Sequence, residues 1–493
     1  MSRSAAETPF TVGLEEELLL VDAETMALRP DAARVLAAMD APADAAGHEA
    51  YAAELELRSP PSASAAEAVA ALAGLRARAA GAGATLLGAG LHPSGRFGDA
   101  VLVEVERYRQ VDEAMRGLIR RTPECALHVH VGMPDLETAV RAFNGLRRRL
   151  PLLQGLAANS PWWFGVDSGL ASARATLVRS YPGRGVPRAL RDVADWEETV
   201  AAALAAGDLR DATFLWWDVR LHPRFGTVEV RELDAQSSLE HVAALAALVR
   251  ALAVEAARAS AQVDEPREAL DWSAFRAARD GVSASILCDG ELRPLAELAR
   301  ATVERLRPLA RELGDEDALA GVEALLAAGG GAGRQRAAFA RGGLRALLEL
   351  LVEETAATPT LPGTASEVAD DGAGSVAREW LDARARCDLD RLGALTSEQA
   401  VWESPVLGTV QGRDAVVEQV RAGFADTDLF ATELLALECR GEKAIAVVRN
   451  TGRREGERLD SLQSLFIRVR EGRVASVRIA VDDPEAVEAF WSS

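Results

Sequence analysis

Lysine is almost absent from this chain of 493 residues, in which Lys443 is the only example. The residues before it therefore contain no lysine that could hold a phosphate as in a Walker loop, and none that could form a Schiff base. Any phosphate chemistry in that part of the chain has to use arginine, metal ions and backbone amides.

Cysteine and long apolar runs are also scarce. The four cysteines, Cys125, Cys288, Cys387 and Cys439, form no CxxC pair, so neither a disulfide framework nor a zinc cluster is indicated. The uncharged run Ala79–Gly95 is glycine-rich and too short to cross a membrane. The N-terminus lacks the apolar core of a secretory signal. Together these absences predict a protein of the reducing cytoplasm.

Basic residues are outnumbered, with 55 lysines and arginines against 75 acidic residues and a net charge of −20. This acidity argues against nucleic acid and anionic membranes as partners. Hydrophobic residues make up 49% and charged residues 26% of the chain, which is typical of a folded protein. The length exceeds that of one ordinary domain, so two or three domains are expected.

The stretch Thr11–Val21 is the most informative one near the N-terminus. Its aliphatic and β-branched residues predict a strand. Side chains alternate between the faces of a strand, so Glu15 and Glu17 share one face. Two neighbouring carboxylates repel each other, and a divalent metal ion would compensate them. The alternative is a solvated edge strand with surface glutamates.

Two further candidate strands carry the same kind of pattern. On Glu49–Leu57, Glu54 and Glu56 alternate onto one face. Around the pair His128 and His130, the sequence alternates strictly between histidine and apolar residues, which places both imidazoles on one face. A lone strand histidine is usually structural, but two on one face, in a chain with six histidines, also suit a ligand or catalytic role.

A fourth polar pattern follows in the region Thr213–Leu233, which predicts two strands joined by a short turn. On the second strand, Glu229 and Arg231 share a face. They could form a surface ion pair, or they could be a metal ligand beside a phosphate-binding arginine. The remainder up to about Thr355 is predicted to be helical, with Gly329–Gly333 as a flexible link between two helices.

The composition changes after these helices. Residues 357–374 are rich in proline, glycine and threonine and predict a linker between a domain of residues 1–356 and a second domain of residues 375–493. The second domain has helices first and then four long alternating strands, which predicts an α+β cone. It resembles the SnoaL-like members of the nuclear transport factor 2-like superfamily. It contains no histidine, and binding or dimerisation is favoured over a second enzymatic activity.

Six motifs of the first domain together resemble those of one known family. They occur in this order: Val12–Glu17 (VGLEEE), Leu127–Gly132 (LHVHVG), Ala158–Pro161 (ANSP), Trp217–Arg220 (WDVR), Arg224–Arg231 (RFGTVEVR) and Arg334–Phe339 (RQRAAF). The stretch Thr11–Glu354 that contains them is similar to the bacterial carboxylate–amine ligases of the glutamate–cysteine ligase type 2 family. That resemblance implies a fold similar to glutamine synthetase, an α+β arrangement in which helices back a curved, mainly antiparallel sheet.

The resemblance also implies a chemistry and a set of site residues. The family uses ATP and magnesium ions to join a carboxylate to an amine, with glutamate and cysteine as its best-known substrates. Arg231 would contact phosphate or substrate. The weaker assignments are Arg220 as a second catalytic arginine, His130 as a further cofactor contact, and Glu54. The implied metal ligands are Glu15, Glu17, Glu56, His128 and Glu229.

Three interpretations of the function remain open from the sequence. The first is an ATP-dependent ligase of the glutamate–cysteine type, which passes through an acyl phosphate and releases ADP and phosphate. The second is a ligase of the same fold that acts on a different carboxylate and amine. The third is a non-catalytic binding protein on a degenerate ligase fold. Self-association through either domain is compatible with each of them.

Overall fold

The computed structural model describes residues 10–359 and 373–490, except for short gaps at 43, 261–263, 289, 407, 426–428, 441, 455–456, 471, 482–486 and 488–489. The chain forms two compact units, Met1–Thr364 and Ala365–Ser493. Of the predicted linker, residues 360–372 lie outside the described residues. The expected mixture of helix and sheet is confirmed in both units. Among the described helices, none is both long and apolar enough to span a bilayer.

A seven-stranded antiparallel sheet organises the first unit within the described residues. Its strand order is β2–β3–β1–β5–β9–β8, with β4 also paired to β1. Two short hairpins, β6–β7 and β10–β11, lie outside it. The strand bounds are β1 Val12–Val21, β2 Ala46–His48, β3 Glu54–Arg58, β4 Thr85–Leu87, β5 Ala126–Gly132, β6 Trp162–Trp163, β7 Val166–Asp167, β8 Val219–His222, β9 Thr227–Asp234, β10 Ser285–Cys288 and β11 Glu291–Pro294.

Helices of the first unit pack against this sheet and against one another. Helix α4 lies against β8 and β9 and pairs with α7, while α2 packs on β1 and α7. The helix bounds are α1 Ala32–Ala38, α2 Ala65–Gly81, α3 Glu106–Met115, α4 Leu136–Ala157, α5 Ala173–Leu177, α6 Val193–Gly207, α7 Leu239–Arg258, α8 Arg267–Asp280, α9 Leu295–Leu313, α10 Glu316–Ala327 and α11 Gly330–Ala356. An antiparallel sheet backed by helices agrees with the expected architecture, and its likeness to glutamine synthetase stays a prediction.

Strand alternation gives the sheet one apolar face and one polar face. The apolar face includes Leu14, Val129 and Val230, which are fully buried in a core shared with α4 and α7. The central strands β1, β5 and β9 carry the polar residues on their other face. The second predicted strand is shorter than expected, because pairing in β3 begins at Glu54. The sheet therefore presents charged side chains from adjacent strands to one common space.

A β-bulge changes the alternation of β9. Leu127 of β5 pairs with Leu233, whereas Val129 pairs with Val230, so β9 has one additional residue at this point. Strict alternation would point Glu232 and Asp234 toward the helices. The bulge instead leaves Leu233 in the apolar core and brings these two carboxylates to the polar side.

The prediction that Gly329–Gly333 is a flexible link is wrong. Helix α10 ends at Ala327, Gly329 has φ +74° at the N-cap, and Gly330 already begins α11. A Cβ atom on Gly331 would lie 2.2 Å from Oδ1 of Asn159, so glycine permits close packing here. Gln335 donates from Nε2 to the same Oδ1 at 2.8 Å. The glycine run is therefore the tightly packed first turn of a helix.

The second unit contains a six-stranded sheet in the order β13–β12–β17–β16–β15–β14, with β12 and β17 parallel and the other pairs antiparallel. The four predicted long strands correspond to β14–β17. The element bounds are α12 Ala373–Ala385, α13 Leu389–Leu395, β12 Thr396–Ser404, β13 Gly408–Gln411, α14 Arg413–Ala425, β14 Leu429–Arg440, β15 Lys443–Arg454, β16 Glu457–Arg470 and β17 Arg473–Val481.

Candidate active site

Three of the predicted metal ligands converge on the polar face of the sheet. The register places Glu15 of β1 directly opposite His128 of β5. His128 Nδ1 lies 3.3 Å from Glu15 Oε2 and 3.9 Å from Glu229 Oε1. One ligand atom from each of the three residues lies within 4.8 Å of the other two, a spacing that one metal ion could bridge.

The other two predicted metal ligands lie beside this cluster. Glu17 Oε1 is 3.7 Å from Nε2 of His128. Glu56 is the cross-strand neighbour of Glu17 and forms an ion pair with Arg58. Glu17 therefore contacts the cluster from one side, whereas Glu56 lies one strand further out.

The weaker candidates occupy distinct positions. His130 Nδ1 lies 3.0 Å from the hydroxyl of Thr227, which leaves Nε2 buried, without a hydrogen bond, and 3.7 Å from a carboxylate oxygen of both Glu15 and Glu229. Glu54 is buried and accepts a hydrogen bond from the thiol of Cys125 at 2.9 Å. His130 thus belongs to the cluster, and Glu54 lies deeper along β3.

Both predicted arginines contact the same carboxylate. Arg220 on β8 is the cross-strand neighbour of Glu229, and Arg231 lies two residues along β9 from it. Each forms an ion pair with the buried carboxylate of Glu229. Burial alone would raise the pKa of Glu229, but Arg231, His130 and Arg220 together hold it well below its usual range. Glu229 is therefore ionised, as a metal ligand must be.

The protonation of the remaining cluster residues follows from burial and from these charges. Burial lowers the pKa of His128 to about 3, so the imidazole is neutral at pH 7 and able to donate a lone pair. Burial would raise the pKa of Glu15, but hydrogen bonding to His128 and His130 holds it well below the usual range. Burial and the nearby Glu49 raise the pKa of Glu17 to about 7. A cation at this position would favour the ionised form of Glu17.

Sequence reasoning missed a second group of charges on this face. The bulge brings in Glu232 and Asp234, and arginines from loops and helices lie near both of them. Arg174 is buried, with NH1 3.4 Å from Asp234 Oδ1, and Arg184 Nε lies 3.5 Å from Asp218 Oδ1. The signal was present in the sequence, because Val230 and Leu233 are three residues apart instead of two, which indicates a bulge.

A cavity of about 140 Å³ opens beside the cluster. Glu17, His128 and Arg231 line both the cavity and the cluster. The cavity wall carries arginines and carboxylates together with aromatic side chains, so it can pair with both signs of charge. These lining residues are Arg107, Arg174, Arg184, Glu49, Glu54, Glu124, Tyr51, Tyr108, Tyr181 and Trp216.

Comparison with known proteins identifies the family of each part of the chain. The model of the glutamate-cysteine ligase family 2 matches residues 11–354, and a SnoaL-like domain model matches residues 377–477. The chain therefore belongs to the glutamate–cysteine ligase family 2 and carries a SnoaL-like domain after the family's region. Both resemblances inferred from the motifs are confirmed.

Two relatives compared by sequence agree with the assignment to the ligase family. A Rubrobacter xylanophilus protein with the provisional name glutamate–cysteine ligase 2-3 is 43% identical over 369 residues, which is 72% of this chain and 99% of that protein. A Micrococcus luteus protein with the provisional name glutamate–cysteine ligase 2 is 38% identical over 66% of this chain and 86% of its own length. A solved structure from a soil-derived mobile gene cassette aligns with 24% of this chain and 97% of its own, at a TM-score of 0.24 and 28% identity.

Proposed function

We propose that the first unit is an ATP-dependent carboxylate–amine ligase that activates a glutamate-like carboxylate as an acyl phosphate and joins it to an amine. The observation that carries the proposal is the convergence of Glu15, His128 and Glu229 on one sheet face, flanked by two arginines. Surface glutamates would not gather around a buried neutral histidine, so the alternative of a solvated edge strand is disfavoured.

The donor set fits magnesium. Carboxylate oxygens of Glu15 and Glu229, with His128 as a nitrogen ligand, would hold one ion, and the adjacent carboxylates of Glu17 and Glu56 would extend this donor set. The orphaned Nε2 of His130, close to two carboxylates, further indicates that this space accepts a positively charged group. When bound, magnesium supplies charge neutralisation at phosphate oxygens.

The two arginines would supply the positive charge that a lysine supplies to the phosphoryl group in other phosphoryl-transfer sites. Arg231 and Arg220 present planar guanidinium groups beside Glu229, and one of them can turn to the transferred phosphoryl when an ion takes over its carboxylate partner. Preorganised charge of this kind stabilises the developing negative charge without reorganisation. This role is consistent with the absence of lysine before Lys443.

The adjoining cavity suits an α-amino acid. Arg107, Arg174 and Arg184 can pair with a carboxylate, and Glu49 and Glu124 can pair with an ammonium group. Because Glu17, His128 and Arg231 are shared with the cluster, a substrate in the cavity would have its reacting carboxylate near the phosphoryl group.

The test is a screen of nucleotide products with the full-length protein, glutamate and a panel of amines that includes cysteine. We expect magnesium-dependent ADP release that requires both substrates. Glu229→Gln should lower turnover on the order of 10²-fold, as for other preorganised electrostatic contacts. The matched control is Glu312→Gln, at an exposed glutamate paired with Arg258, and it should retain activity.

Two results would contradict the proposal, and a third would change only its substrates. Release of AMP with pyrophosphate would show that the carboxylate is activated as an adenylate and not as an acyl phosphate. Equal activity of Glu229→Gln and Glu312→Gln would remove Glu229 from the site. ADP release with other substrate pairs, but not with glutamate and cysteine, would retain the ligase and select the alternative substrates.

A further inference from the structure

The second unit contains a buried arginine, Arg384, that forms no ion pair with any of the described residues. Arg384 lies near the end of α12, and only 7% of its surface is exposed. Its Cζ is 5.8 Å from the centre of the Trp402 ring, and its NH1 atom finds no hydrogen-bond partner in the part of the chain that the structure describes. Burial lowers the pKa of Arg384 to about 10, and no carboxylate opposes that shift.

Buried arginines of the first unit, in contrast, lie beside carboxylate groups. Arg76 is paired with Glu16, Arg250 with Asp315, and Arg174 lies beside Asp234. A buried charge without a partner is strongly unfavourable, which is why such pairing is the rule. Arg384 is buried without such a partner among the described residues. A bound anionic ligand would supply the missing counter-charge.

Further polar groups without partners lie in the same interior. Trp402 is 3% exposed, and its Nε1–H is buried and donates to no atom of the described residues. On the inner face of the sheet, Gln463 pairs with Val448, whose side chain belongs to the same core cluster as Trp402. Gln463 Oε1 and Asn450 Nδ2 on this face are buried and also lack hydrogen bonds.

We propose that the interior of the second unit, between α12 and the inner face of its sheet, binds a small organic carboxylate with an apolar body. The carboxylate pairs with the guanidinium of Arg384 and accepts a hydrogen bond from Nε1 of Trp402. A planar carboxylate matches the guanidinium fork. Trp380, Ala446 and Leu465 are fully buried and belong to the same core cluster as Trp402, so this interior is apolar and suits the hydrocarbon part of such a ligand and not a free phosphate ion.

This site is separate from the ligase residues, so it can be tested whatever the first unit does. Titration calorimetry of the full-length protein would use benzoate, octanoate, the neutral octan-1-ol and inorganic phosphate as probes. We expect benzoate or octanoate to bind at one site per chain, and octan-1-ol and phosphate to bind on the order of tenfold more weakly or not at all, because charge-assisted hydrogen bonds and apolar burial are both required.

Variants of Arg384 assign the binding to this site. Arg384→Met removes the charge at similar volume and should abolish carboxylate binding, while Arg384→Lys keeps the charge, loses the fork and should weaken it. The matched control is Arg386→Met, at the exposed arginine two residues along, which should bind as the unchanged protein does. Without ligand, Arg384→Met should unfold at the same or a higher temperature, because it removes an uncompensated buried charge.

Several outcomes would overturn the proposal. These are no carboxylate binding to the unchanged protein, equal binding by Arg384→Met and Arg386→Met, or tighter binding of phosphate than of either carboxylate. A large loss of thermal stability in Arg384→Met would show a structural role for the arginine. If that variant fails to fold, unchanged carboxylate affinity in Arg384→Lys would still refute the fork contact.

Discussion

Replacing Glu16 should destabilise the first unit strongly, although its neighbours Glu15 and Glu17 face the opposite side of β1. Glu16 is 1% exposed and Arg76 is 4% exposed. The guanidinium donates to both carboxylate oxygens, from Nε at 2.9 Å and from NH2 at 2.6 Å. Arg76 also donates to the carbonyl oxygens of Gln236, Ser237 and Thr355. This ion pair thus joins β1, α2, the segment before α7 and the end of α11.

The magnitude follows from which group loses its partner. Glu16→Leu leaves a buried guanidinium without a carboxylate, which costs about 3–5 kcal/mol of unfolding free energy. Arg76→Met leaves the carboxylate unpaired and also removes the donor to three carbonyl groups, at about 1–3 kcal/mol for each buried acceptor left unsatisfied. The double variant should therefore cost less than the sum of the single variants but should not be neutral.

The assay is a double-mutant cycle by differential scanning calorimetry, in which the transition of the second unit serves as an internal reference. The matched control is the exposed pair Arg300 and Glu323, which has the same two-bond geometry. Replacing either partner of that pair should change stability by no more than about 1 kcal/mol. Costs below about 1 kcal/mol for both Glu16→Leu and Arg76→Met would refute the ion pair as a structural element.

Three further predictions concern the site, the packing of α11 and the division of the chain. Arg231→Lys keeps the charge but loses the fork, so ADP release should fall on the order of 10²-fold in steady-state assays; activity near that of the unchanged protein would contradict it. Gly331→Ala places a Cβ 2.2 Å from an asparagine oxygen and should lower the free energy of unfolding, measured with denaturant, by about 1–3 kcal/mol. The control Gly74→Ala has open space around it and should be neutral or stabilising. Equal effects of the two changes would refute the close packing at Gly331. A fragment ending at residue 359 should fold and release ADP, and residues 375–493 alone should fold without that activity. Calorimetry and the product assay compare the two fragments. An inactive first fragment would place part of the catalytic unit in the second domain.

The sheet could be predicted from the sequence because its strands follow simple physical patterns. Strict alternation around His128 and His130 predicted β5, and the aliphatic run at Thr11–Val21 predicted β1. The glycine run at Gly329–Gly333 was misjudged, because composition alone does not separate glycines that loosen a chain from glycines that permit close packing. That distinction depends on Asn159, which is distant in sequence.

The site was predictable as far as strand faces are concerned. Alternation groups Glu15 with Glu17 and Glu229 with Arg231, and the register that brings them together follows from antiparallel pairing. Alternation alone did not predict the β-bulge after Arg231. The one additional residue of the bulge moves every later side chain of β9 to the opposite face of the sheet. The arginines that surround Glu232 come from loops and helices, where contacts depend on tertiary packing and not on local period.

In the proposed reaction, phosphoryl transfer from ATP activates the carboxylate before it meets the amine. The most direct measurement uses the carboxylate substrate found in the ADP screen, labelled with ¹⁸O in its reacting carboxylate. An acyl phosphate requires one labelled oxygen to move into the released inorganic phosphate, which ³¹P spectroscopy resolves by its isotope shift. Label in the phosphate at one atom per turnover is the predicted result. Phosphate without label, or label in AMP, would contradict the mechanism.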